Sequence, residues 1–328
     1  MREFAEAGVL GVSAAEDAGG LGMGLAAAGV IAEKLGSVLA PEPVVATVGL
    51  AVGLLERLRP DALLLGRIIA GETTVAIAWQ ERCATGLSDA ISCRFDGAAL
   101  TGAKAWVVGA SGADALLVVA RGPSGPVLVQ VAAGGRGLML GGQRQSAGSV
   151  MHEVAFAATP ADVLADGDAV TEALADAVSD TTALAAAELL GLSARALALT
   201  LTLDYLKTRE QFDQPIGAFQ ALQHRAVDLY VAQQVAEAGV REALALMDGA
   251  RSHQTRAKLA SRAKARACTT AQKVTREAIQ LHGAVGYTDE FDVGLFLNRA
   301  LVLSAWLGDA TVHRRRWLVA AEMEETAR

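Results

Sequence analysis

Two stretches of this sequence carry side chains suited to gripping a phosphate. In Tyr205-Leu-Lys-Thr-Arg-Glu-Gln-Phe-Asp-Gln-Pro-Ile-Gly-Ala-Phe-Gln220, a helix ends near Arg209, Pro215 enforces a turn, and a new helix begins near Phe219. Arg209 is a permanently charged, planar donor whose fork of N–H groups matches phosphate oxygens. Gln211 and Gln220 offer amides around the same turn, and Phe212 offers a ring face for packing. Farther on, Gln280-Leu-His-Gly-Ala-Val-Gly-Tyr-Thr288 sets an amide one helical turn before Gly283 and Gly286, where bare backbone can approach a ligand closely. Each stretch alone has a plainer reading. An arginine at a helix C-terminus partners the helix dipole or a surface carboxylate, and Gly283 is a C-cap.

These groups need rigid elements to hold them, and the hydrophobic pattern supplies three kinds in order. Residues 1–71 read as a small helical domain, with Gly19-Gly20-Leu21-Gly22 and Pro41-Glu42-Pro43 separating apolar runs. Residues 72–165 change character: Thr74 to Trp79, Ala103 to Val108, Ala115 to Val119 and Val127 to Val131 are short β-type runs between Gly, Asp and Ser clusters. Residues 166–328 return to long helical blocks, Ser179 to Arg209, Gln220 to Met247, Gln254 to Leu281 and Asn298 to Glu325, which can form a four-helix bundle. The expected class is α+β, mainly α. A Rossmann nucleotide site would need its glycine turn after an early strand, and Gly19 to Gly24 follows none.

Composition narrows the function classes. The 328 residues carry a net charge of −7, which argues against nucleic acid as the main partner. The apolar stretch Pro43 to Leu55 is shorter than the roughly 20 residues that cross a bilayer, so no membrane insertion is expected. The N-terminus has no basic segment running into an apolar one, which points to the cytoplasm. Cys83, Cys93 and Cys268 share no C-x-x-C spacing and read as small buried hydrophobes. The five histidines, His152, His224, His253, His282 and His313, have no metal-ligand spacing and read as packing or surface residues.

Taken together, Y-x-K-x-R-x-Q-F-x-x-P-I-x-x-F-Q followed by Q-x-H-G-x-x-G-Y-T resembles the acyl-CoA dehydrogenase family over nearly the whole chain. The Glu33-Lys-Leu-Gly36 helix also resembles the family's opening segment, although its usual first helix is missing. The resemblance implies an N-terminal helical domain, a middle β-barrel-like domain and a C-terminal four-helix bundle, in an assembly larger than a monomer. It implies FAD spanning a subunit interface, an acyl-CoA substrate and an electron-transfer flavoprotein as acceptor. By carry-over Arg209 binds the FAD diphosphate, Gln211, Phe212, Gln220, Gln280, Gly283 and Ala284 line the same end, and Trp106 sits where the family places an aromatic against the flavin ring.

The pattern breaks where the chemistry should be. The family's α-proton is taken by a glutamate, and the position aligns here with Gly308 in Leu303-Ser-Ala-Trp-Leu-Gly-Asp-Ala-Thr311. The alternative glutamate position, on the helix leading to Arg209, aligns with Ala183. Asp309 is displaced by one residue, about 100° around a helix, and Glu188 faces elsewhere. Gln80 to Leu87 lacks the Pro and in-register Gly-Ser-Asp of the family's ring-and-substrate segment, and Val108 replaces a hydroxyl that would bond the flavin. Trp106 has a second reading as plain core. What the chain would lend to a neighbour's FAD is intact, and what it needs for its own ring and substrate is eroded. This asymmetry, with Leu307 to Arg314, resembles the short non-catalytic subunit of actinobacterial α2β2 acyl-CoA dehydrogenases, partnered by a catalytic subunit. Two alternatives stand beside it: a homo-oligomeric enzyme with a base at Asp309 or Glu81, and a flavin-free structural or regulatory homologue.

Overall fold

The computed structural model describes residues 1–59, 62–82, 91–197, 202–288 and 290–326. Its internal packing divides the chain into two units, Met1–Ala28 with Pro41–Thr181, and Gly29–Ala40 with Thr182–Arg328.

In the first unit, glycine and proline cut the apolar N-terminal sequence into short helices: α1 (Arg2–Glu6), the start of α2 (Gly24–Ser37), α3 (Val44–Ala46), α4 (Gly53–Leu58) and α5 (Ala62–Ile69). Between α3 and α4 the chain widens into a fully buried π-helical turn, Thr47–Val52. A Cβ on Gly49 in that turn would lie 2.4 Å from Thr181 Oγ1, so glycine is what lets the two backbones close up.

The same unit holds an eight-stranded sheet: β1 (Val75–Ala78), β2 (Arg94–Phe95), β3 (Ala99–Val108), β4 (Ala115–Gly122), β5 (Gly125–Ala132), β6 (Leu138–Arg144), β7 (Val150–Pro160) and β8 (Asp162–Asp166). The order is β6-β7-β3-β2-β4-β5-β8, with β1 parallel to β4. The predicted runs at Val75, Ala103, Ala115 and Val127 all lie in strands. Four strands were not expected from sequence: β2 is two residues long, β6 is exposed along almost its whole length and β8 is polar at both ends, leaving little period-two signal, whereas β7 does alternate from Val150 to Phe156 and was overlooked. Phe95, Leu100, Val118, Val129, Val154 and Phe156 fill the core, with Cys93 among them. Cys93 and Cys268 are buried free thiols, as expected, and Cys83 lies outside the described residues.

Helix α6 (Asp168–Leu197) begins in the first unit and ends in the second. The second unit continues with α7 (Thr202–Thr208), the hairpin β9 (Glu210–Gln211) and β10 (Gln214–Pro215), then α8 (Gln220–Gly249), α9 (His253–His282), α10 (Val293–Ala305) and α11 (Ala310–Thr326). Within it α2 and α6 touch through a reciprocal glycine pair. A Cβ on Gly36 would fall 2.1 Å from Glu188 O, and one on Gly191 would fall 1.8 Å from Glu33 O. Buried Gln233 of α8 then ties to α6, accepting from Ser193 Oγ at 2.8 Å and donating to Leu190 O at 3.1 Å.

Two helix boundaries differ from the sequence reading. Helix α6 starts at Asp168 rather than Ser179, because Asp and Glu spaced among alanines favour a helical first turn although they weaken its apolar stripe. The expected single helix Asn298 to Glu325 is two, broken at Trp306–Asp309. That region, Val293–Glu322, is apolar and long enough to cross a membrane by composition, but the break divides it and Val293, Phe296, Ala300 and Leu303 are buried in the bundle.

Candidate functional site

The Arg209 stretch is built around a two-residue hairpin. Arg209 N donates to Tyr205 O at 2.8 Å to close α7, and Ile216 N donates to Arg209 O at 2.8 Å to bring the chain back. Phe212 and Asp213 form the turn with φ of +58° and +61°, the left-handed pair that a tight hairpin requires. A phenylalanine held there costs roughly 1–2 kcal/mol relative to an ordinary conformation, and the residue is 85% exposed, its ring edge-on to Phe219 at 6.0 Å. Gly217 follows because a Cβ would meet Leu206 O at 2.8 Å. Gln220 then opens α8, and no side chain caps that 30-residue helix. An uncapped helix N-terminus beside an exposed arginine presents N–H groups and positive charge together, which is the donor set a diphosphate needs. The fit to the phosphate end of FAD is good.

The second stretch is locked onto the first by aromatic rings. His282 is buried at the end of α9, its ring stacked on Tyr205 with centroids 4.6 Å apart, and Phe291 sits edge-on to both at 5.4 and 5.8 Å. His282 Nδ1 bonds Ala278 O at 2.7 Å, which fixes the ring against its own helix. Beyond it Gly283 has φ +66°, Ala284 is exposed, and a Cβ on Gly286 would come 2.7 Å from Ile279 O. Gln280 and Gly283 are exposed, as are Arg209, Gln211, Phe212 and Gln220. Sequence reading found these residues but missed Tyr205 and Phe291, the groups that bring them together. Tyr205 opens the first motif, whereas Phe291 lies three residues beyond the second and had no motif to mark it.

Gly308 lies in the turn between α10 and α11 with φ +113°, a conformation that disfavours any side chain. A Cβ there would meet His313 Nε2 and Val312 Cγ1 at 3.2 Å each. The turn is held by Lys264 of α9, whose fully buried ammonium donates to Leu303 O and Trp306 O at 2.8 Å each and to Gly308 O at 3.4 Å. Asp309 is not on a helix face, which corrects the rotation argument made from sequence. It caps α11, its Oδ1 accepting from Thr311 N and Val312 N at 2.9 Å each.

The family model for the acyl-CoA dehydrogenase C-terminal domain matches residues 171–321, and that for the N-terminal domain matches residues 1–58. The acyl-CoA dehydrogenase FadE27 of Mycobacterium tuberculosis is 30% identical over 335 aligned positions, covering 99% of this chain and 88% of its own. The chain belongs to the acyl-CoA dehydrogenase family. A chain of a Tcur3481-Tcur3483 steroid acyl-CoA dehydrogenase variant superposes with a TM-score of 0.85 at 30% identity, covering 99% of this chain and 88% of that one. A chain of the ChsE4-ChsE5 complex from Mycobacterium tuberculosis does so with a TM-score of 0.85 at 26% identity, covering 99% and 87%.

Neither Gly308 nor Ala183, the two positions read from sequence as the base, carries an ionisable group. Ala183 is fully buried in α6, and Glu188 is engaged elsewhere in the bundle, accepting from Arg299 Nε at 3.0 Å. Burial raises the Glu188 carboxyl, with the Arg299 guanidinium pulling the other way.

In the sheet, Trp106 stands on a β-bulge: between the pairs Lys104 to Val154 and Val107 to His152, β3 has one more residue than β7. Its φ is +59° and it is 41% exposed, so the plain-core reading does not hold. Val108, half-buried at the end of the strand, offers only a methyl surface. Glu81, the other base considered from sequence, is tied down. It accepts from Lys104 Nζ at 2.8 Å and from Ser92 N and Cys93 N at 3.0 Å each. Burial pushes its carboxyl up, but the Lys104, Ser92 and Cys93 hydrogen bonds and the Lys104 charge outweigh that and hold it at about 2. A carboxylate so weakly basic is a poor acceptor for an α-proton. The rest of the segment, from Cys83 to Leu87, lies outside the described residues.

Proposed function

We propose that this chain is the non-catalytic subunit of a heteromeric acyl-CoA dehydrogenase, lending the diphosphate and adenosine half-site to an FAD whose ring lies in a catalytic partner. The observation that carries this reading is a contrast: the Arg209–Gln220 and Gln280–Ala284 stretches are joined through the Tyr205–His282 stack and present exposed polar residues, while Gly308, the residue read from sequence at the base position, has a conformation unsuited to glutamate. Arg209 and the uncapped start of α8 supply charge and N–H donors to the diphosphate, Gln211, Gln220 and Gln280 supply amides, and bare Gly283 permits close approach. FAD, when bound, accepts the β-hydride of an acyl-CoA thioester, and the α-proton goes to a base on the partner. The likeness to chains of two-component complexes, one described as a steroid enzyme, favours an α2β2 assembly in lipid or sterol side-chain catabolism. It would act in the cytoplasm and pass electrons to an electron-transfer flavoprotein. The relocated-base alternative is disfavoured by the cap role of Asp309 and the low basicity of Glu81.

The test is co-expression with candidate partner subunits and measurement of flavin per chain. The proposal expects a yellow complex with half as many flavins as chains and a colourless or flavin-poor isolated chain. Full flavin loading and acyl-CoA oxidation by the chain alone would refute it.

A further inference from the structure

A cleft of about 470 Å3 opens between α9 and α11, lined by none of the residues placed in the flavin site. Arg262, Ala265, Arg266 and Thr269 line it from α9, and Arg314, Trp317 and Leu318 from α11. The spacings, i, i+3, i+4 and i+7 on one helix and i, i+3 and i+4 on the other, put each set on a single helical face. The size is that of a small-ligand pocket.

Its charge is unbalanced. No carboxylate lines it, although the chain as a whole carries a net charge of −7. The sole carboxylate of α9, Glu277, is taken by Arg225. Arg262 reaches Glu242 at 2.7 Å with one nitrogen, while its buried Nε has no hydrogen-bond partner. Arg314 donates to the neutral Thr269 hydroxyl at 2.7 Å, and the Lys258 ammonium stands 6.0 Å from the centre of the Trp317 ring. Glu242 is the counter-charge of Arg262, whereas no carboxylate in the lining answers Arg266 and Arg314; neighbouring guanidinium groups repel one another, and an anion relieves that cost. The Trp317 indole, with Ala265 and Leu318, gives the cleft an apolar wall against which a planar ring can lie.

We propose that this cleft binds a phosphorylated nucleotide, with Arg266 and Arg314 on its phosphates and Trp317 against its base. A free nucleotide and the nucleotide end of coenzyme A share that chemistry. The inference does not depend on the flavin half-site reading.

Isothermal titration of the full chain with adenosine 3′,5′-bisphosphate, ADP, coenzyme A, inorganic phosphate and a poly-glutamate peptide tests it. The nucleotides should bind at least about tenfold tighter than phosphate, and Arg266→Ala with Arg314→Ala should weaken them by a further factor of about ten. Trp317→Leu should erase the preference for nucleotide over phosphate. Circular dichroism of each variant should match the parent, since both arginines are exposed. Tighter binding of coenzyme A than of the free nucleotides would support the site and assign it to the coenzyme. Equal binding would support it for nucleotides generally. Nucleotide affinity no better than phosphate, or unchanged in the double variant, would overturn the proposal. So would a cleft that takes the acidic peptide alone, which would mark a protein interface.

Discussion

Gly308 holds a backbone angle of +113° that a glutamate resists, and Lys264 and His313 pack the space around it. Gly308→Glu is therefore expected to destabilise the protein by roughly 1–3 kcal/mol without creating dehydrogenase activity in the isolated chain, read by thermal melting and dye reduction with acyl-CoA. A stable, active Gly308→Glu chain would show that only the side chain is missing. Asp309 should behave as a cap: Asp309→Asn retains the acceptor and leaves stability and complex activity unchanged, whereas Asp309→Ala costs about 1 kcal/mol. That position 308 carries no carboxylate is plain in the sequence, and its reading as the base position rests on motif register. The turn was not, because Lys264, some forty residues earlier, fixes it from another helix.

At the scale of elements, buried polar contacts tie the helices of the bundle together. Glu188→Gln should destabilise by about 3–5 kcal/mol in urea unfolding, since it leaves the Arg299 charge without its partner in the bundle. His313 gives a pH signature. Burial, then the charges of Lys264 and Arg316, depresses its pKa from 6.5 to about 3, with Asp309 pulling weakly the other way and Ser261 Oγ 3.2 Å from Nδ1. The unfolded chain takes up this proton first, so the contribution is whole above pH 6.5 and is lost as pH falls toward 3. Stability should fall by up to about 1.4 kcal/mol per pH unit through that window, and His313→Gln should flatten the slope. The ring stack predicts a division between two Tyr205 variants. Tyr205→Phe should keep the two flavin stretches together, and Tyr205→Ala should lose flavin from the complex while α8 and α9 stay folded. The long helices α8 and α9 were readable from their period, and strands β1, β3, β4 and β5 as short apolar runs between turn residues. Exposed β6 and the α10–α11 break were not, because one lacks an apolar face and the other is imposed by tertiary hydrogen bonds.

For the whole molecule, the proposed function is a division of labour in which this chain would grip one end of the flavin and another chain would hold the ring and the base. The motif pair was legible because its residue types are specific, whereas the bulge that turns Trp106 outward depends on pairing with β7 and has no local sequence mark. The most direct test is flavin content of the purified co-expressed complex with Arg209→Ala in this chain. The account predicts that the complex still assembles but loses most of its FAD, and with it acyl-CoA oxidation. A complex that keeps its full flavin with alanine at that position would contradict the half-site assignment.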